Sequence, residues 1–134
     1  MTLLLQITGV LLIFLGLAHS LFNRHFNWIA ELKKVNLITR QVFHVHHFFV
    51  ALTVTLMGIL CLIYPEDLQT TPLGRAICLG LGFFWLCRLF IQFFGYSSEL
   101  WKGRTFETVV HCLFGLLWLS LTVLFTMVGL GVTF

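Results

Sequence analysis

Four stretches of this chain, about residues 2–22, 40–64, 72–94 and 106–132, run apolar from end to end, and none holds more than two charged residues. A helix rising 1.5 Å per residue needs about 20 such residues to cross the hydrocarbon of a bilayer. Lipid offers no hydrogen bonds to a backbone, so each stretch must satisfy its own polar groups and helices are the fitting choice. A β-barrel would show short alternating segments instead, and there are none. With 59% hydrophobic residues, 10% charged residues and a mean hydropathy of +0.99, the 134-residue chain lacks the polar surface of a soluble domain. The expected fold is all-α: a four-transmembrane-helix bundle forming one integral membrane domain over residues 1–134. The first span has neither a basic leader nor a small-residue cleavage site and reads as a retained span.

The ends of the spans carry their own signals. Thr71 and Pro72 suit the cap and first position of the third span, Gly95 its C-terminal cap, and Thr105 the start of the fourth. The link over residues 23–39 places Trp28, Ile29, Leu32 and Val35 at helical spacing, with Lys33 and Lys34 on the other side. Asn27 at its start and Glu31 before the lysines suit a short amphipathic helix lying in the interface. Arg24, Lys33, Lys34 and Arg40 flank the first link, Lys102 and Arg104 the third, and only Arg75 the second. That asymmetry puts the first and third links in the cytoplasm and both termini outside. The charge of +3 shows no basic stripe, so nucleic acid is not an expected partner. Cys61, Cys78, Cys87 and Cys112 lie in apolar runs without CxxC spacing and read as small buried hydrophobes.

Polar groups in the spans gather at one depth. By helix rise, His44, His46 and His47 lie about 6–12 Å below the cytoplasmic end of span two, and Arg88 and His111 each about 9 Å into spans three and four. His19 lies about one turn from the end of span one. Ionisable groups in a span are costly and face a protein interior or a wet cavity. Trp85, Arg88 and Gln92 share a face of span three; Glu107, His111, Trp118 and Thr122 share one of span four, with Glu107 placed to orient the His111 imidazole. On span two, His44 and His47 share a face with Ala51, Thr55 and Gly58, while His46 lies opposite. Gly9 and Gly16 share a face of span one with His19, and glycines there permit close helix contact.

The segments "AHSLFNRHFNW", "ITRQVFHVHHFF", "CRLFIQFFGYSSELWKG" and "FETVVHCLF" resemble a group of small bacterial four-helix integral membrane proteins with no assigned activity. The resemblance covers nearly the whole chain. It implies a bacterial inner-membrane location and marks His19, His46, Arg88, Gln92 and His111; on span two it favours His46, with His47 second.

Three functional readings follow. The first is a metal or haem protein, since imidazole suits Zn, Cu and Fe. Two histidines on different helices could hold one haem b for electron transfer with Arg88 on a propionate. His19, His46 or His47, and His111 could instead hold a transition metal, with Gln92, Glu107, Trp85 and Trp118 around them. "HVHH" also invites a membrane di-iron oxygenase, but too few ligands and no paired carboxylates remain for one. The second reading is a binder or transporter of an anionic ligand or protons through Arg88, Gln92 and the histidines. The third is an accessory subunit, in a homo-oligomer or a larger membrane complex, whose polar residues are helix-to-helix glue.

Overall fold

The computed structural model describes residues 1–25, 32–100 and 103–132, apart from the side chains of 20–25 and Ser98. The described residues form helices and turns, with no strand among them. Helix α1 covers Thr2–His25, α2 Leu37–Ile63, α3 Pro65–Thr70, α4 Pro72–Phe94 and α5 Thr105–Gly129, with single 3-10 turns at Leu32–Lys34 and Ser98–Leu100. Helices α1, α2, α4 and α5 are each long and apolar enough to cross a membrane. The all-α, four-span architecture holds, and the chain is a multi-pass membrane protein.

Helix ends follow local chemistry. The Thr71 hydroxyl accepts a hydrogen bond from the Gly74 N–H at 2.9 Å, and Pro72 occupies the first turn, where no backbone donor is needed. Helix α2 begins at Leu37 rather than Arg40 because the Asn36 side chain accepts from the Thr39 N–H at 2.9 Å. Thr105 is the first helical residue of α5 rather than its cap; Arg104 holds the cap position without a side-chain bond. Gly95 caps α4 in a right-handed conformation, so its glycine serves space, not a left-handed turn: a Cβ there would lie 2.8 Å from the Ile91 carbonyl oxygen. Of the interfacial helix expected between α1 and α2, Asn27, Trp28, Ile29 and Glu31 fall outside the described residues, and Leu32–Lys34 makes one 3-10 turn. Trp101 and Lys102 also lie outside them.

The chain divides into two compact units, Met1–Pro65 and Glu66–Phe134. In the first, α1 and α2 run antiparallel with backbones in close contact. A Cβ on Gly9 would meet the Gly58 carbonyl oxygen at 2.7 Å, and one on Gly58 would meet that of Gly9 at 2.6 Å. One level along, Gly16 abuts the Thr55 hydroxyl and the Ala51 carbonyl. The glycine face of α1 therefore meets the Ala51/Thr55/Gly58 face of α2, as residue size dictates when no hydrophobic force separates lipid from helix.

In the second unit α4 and α5 also run antiparallel. Gly82 packs on Thr126 and Gly129 on Leu79, while Trp85, Trp118, Leu121, Phe125 and Val128 are buried. Large side chains on the outer surfaces, such as Phe14, Phe83 and Leu116, are 74%, 68% and 62% exposed, as expected of residues that meet lipid. Thr55, Ser120 and Thr122 donate their hydroxyls to carbonyls four residues earlier, all at 2.8 Å, and so satisfy themselves within their own helices.

Candidate functional site

The best-organised polar cluster lies in the second unit, around Gln92. Helix α4 places Trp85, Arg88 and Gln92 on one face, and α5 answers with His111 and Trp118. Gln92 is only 5% exposed, so its amide must find partners inside the protein. Its Oε1 accepts from Arg88 Nη1 at 3.2 Å and from Trp118 Nε1 at 3.3 Å. Its Nε2 donates to His111 Nδ1 at 2.8 Å and to the His111 carbonyl at 3.3 Å. All four hydrogen-bonding positions of the amide are thus used.

This pattern fixes more than packing. Arg88 and the Trp118 indole can only donate, so the amide oxygen must face them and the amide nitrogen must face His111. His111 Nδ1 then accepts, and in the neutral ring the proton sits on Nε2. The tautomer of a histidine on α5 is set by an arginine on α4 through one glutamine.

Arg88 is half-buried. Its guanidinium carbon stands 4.9 Å from the Trp118 ring centroid and 5.8 Å from that of Tyr96. A desolvated guanidinium over an indole gains about 2 kcal/mol. Its hydrogen-bond partner Gln92 is neutral. The one ion pair among the described residues is Arg104 with Glu107, at 3.8 Å and largely exposed. Among the described residues, the cation on the inner face of α4 therefore has no carboxylate against it. Beneath it, Trp85 and Trp118 stack with centroids 5.0 Å apart and planes 9° from parallel, and Phe114 stacks on Trp118 at 5.5 Å. Phe93 sets its edge to His111 at 5.8 Å. The Trp85 indole nitrogen is fully buried and has no acceptor among the described residues.

Glu107, expected to orient His111, instead pairs with Arg104, and Gln92 supplies the bond to His111 Nδ1. Gln92 was placed by spacing at the edge of a ligand site; it is the centre of the cluster. Tyr96, outside the expected set of site residues, is a second ring against Arg88. Its position eight residues after Arg88, one turn beyond Gln92, was the available signal.

The first unit brings a different pair together. His47 Nε2 donates to the His19 carbonyl at 2.8 Å, and His19 Nδ1 donates to the Leu15 carbonyl at 2.8 Å. Their rings lie 5.8 Å apart, and Phe43 stacks on His47 at 6.2 Å. His46 points away from α1: it is exposed, and its Nδ1 donates to Val42 of its own helix at 2.9 Å. His44 is exposed as well. The residue that the glycine contact turns toward α1 is thus His47. Replacing His46 with alanine is expected to change stability by less than about 0.5 kcal/mol, while His47→Ala, which removes an interhelical bond, costs about 1 kcal/mol. Thermal unfolding of both variants in one detergent checks this, and equal losses would contradict it.

Among the described residues no three His, Cys, Asp or Glu side chains converge where they could hold a metal ion. His19 and His47 meet in the first unit, and His111 belongs to the cluster of the second. The fold and cluster define an all-α multi-pass membrane protein carrying a buried Arg–Gln–His–Trp network in its second helix pair. No family model, curated protein or solved structure matches the chain.

Proposed function

We infer that this protein binds an anionic group at Arg88. The observation that carries the reading is a half-buried guanidinium in an apolar span, held by a tryptophan face and a neutral amide, with no carboxylate beside it among the described residues. A cation in a membrane segment is costly unless it is paired. Gln92 and Trp118 orient the guanidinium and occupy one side of it, leaving further N–H groups of its five to meet an anion. The basic links then lie in the cytoplasm of a bacterial inner membrane with both termini outside, so the site opens toward the cytoplasmic face.

The metal or haem reading draws less support. His47 spends Nε2 on a backbone carbonyl, His111 spends Nδ1 on Gln92, and among the described residues no group of three ligands forms around either.

The test uses inorganic phosphate, sulfate and acetate as probes on the detergent-purified chain. An anion that binds only the folded protein raises its unfolding midpoint with concentration. At least one probe is expected to do so, Arg88→Ala to abolish the rise, and Arg88→Lys to weaken it because an ammonium neither stacks nor forks. An equal rise in Arg88→Ala would overturn the reading.

A further inference from the structure

We propose that the anion at Arg88 is the phosphate of a membrane phospholipid, entering from the bilayer. This inference rests on the anion reading above and names its ligand. Two observations carry it.

The first is the direction of the side chain. From its place about 9 Å before the end of α4, Arg88 reaches toward the helix terminus: it bonds Gln92, one turn nearer that end, and lies beside the ring of Tyr96, two residues past it. Helix α4 has 23 residues, about 34 Å of length, against roughly 30 Å of hydrocarbon. Its end therefore stands at the edge of the headgroup region, and the guanidinium is lifted toward the plane where lipid phosphates lie. Long basic side chains reach for that plane when their Cα atoms sit below it.

The second is what surrounds that end. Phe93 and Phe94 are 57% and 75% exposed, and Phe106, at the start of the antiparallel α5, is 75% exposed. Such a rim suits acyl chains and glycerol backbones better than a path for a hydrated ion.

A phosphate monoanion free in the cytoplasm offers the same oxygens, so the experiment separates the two sources. The full-length protein, purified in detergent, is examined by native mass spectrometry after exposure to phosphatidylglycerol, to diacylglycerol or to inorganic phosphate. Arg88→Ala is run beside it, with Arg104→Ala as a control for a basic residue at the same end outside the cluster. The expected result is retention of phosphatidylglycerol over diacylglycerol, reduced about tenfold or more by Arg88→Ala and unchanged by Arg104→Ala. Retention of phosphatidylglycerol that ignores Arg88→Ala marks a lipid annulus and overturns the proposal. Arg88-dependent binding of inorganic phosphate without preference for the lipid overturns the lipid source while the anion reading stands. Binding of neither probe overturns both.

Discussion

Gly58→Val should destabilise the protein by about 3 kcal/mol, toward the upper range for overpacking a tight contact. The added Cβ would stand 2.6 Å from the Gly9 carbonyl oxygen and 2.8 Å from the Ile13 backbone nitrogen. Both are main-chain atoms of α1, so no rotamer change makes room and the helices must separate. Separation also loosens the next level, where Gly16 meets Thr55 and Ala51, and lengthens the His47 bond to the His19 carbonyl. Gly80→Ala is the matched control. Nothing lies within 4 Å of its added Cβ, and replacing a helical glycine removes a cost of about 1 kcal/mol. Equilibrium unfolding in mixed micelles with increasing denaturing detergent reads both. If Gly58→Val proves as mild as Gly80→Ala, α1 and α2 do not meet through Gly9 and Gly58.

Gln92→Leu should cost about 2–4 kcal/mol although its volume hardly changes. One amide satisfies three side chains and a backbone carbonyl. A leucine removes the bonds that Gln92 makes to the buried Trp118 N–H, to His111 Nδ1 and to the inner face of Arg88, and an abandoned buried donor or acceptor costs about 1–3 kcal/mol. The three share one hub, so the losses will not simply add. Gln92→Glu separates stability from function. A carboxylate still accepts from Arg88 and Trp118, and it supplies the missing negative charge from within the protein. It cannot donate to His111 Nδ1, so the imidazole must move its proton to that nitrogen or become charged. The expected result is a folded protein that no longer gains from phosphate. A Gln92→Leu variant as stable as the parent would remove Gln92 from the centre of the cluster.

Much of this was open to a reader of the sequence, and the reason differs by element. The spans follow from length and hydropathy alone, and Thr71 with Pro72 marked the start of α4 because capping is a local matter. The common face of Trp85, Arg88 and Gln92 followed from helical spacing, as did that of His111 and Trp118. Spacing tells which residues share a face but not which face meets which helix. Small residues do carry that information: Ala51, Thr55 and Gly58 mark the contact with α1 and the face shared by His44 and His47, of which His47 makes the bond, whereas the resemblance favoured His46. The role of Gln92 was harder to see, because an uncharged amide gives no electrostatic signal and its weight comes from partners on another helix. Glu107 looked like the natural orienter of His111 at four residues' distance, yet Arg104, three residues before it, holds its carboxylate at the exposed end of α5.

On the proposed reading Arg88, alone among the arginines whose side chains the structure describes, is poised for an anion. The direct measurement is a phosphate titration of the micelle-solubilised protein, with arginine side-chain nitrogens observed by 15N NMR and the Arg88 signal assigned by its loss in Arg88→Ala. This signal is expected to shift and saturate while those of Arg24, Arg40, Arg75 and Arg104 stay near their starting positions, and in Gln92→Glu it is expected not to respond. An Arg88 signal indifferent to phosphate in the parent protein, or one moving no more than the exposed Arg104, would contradict it.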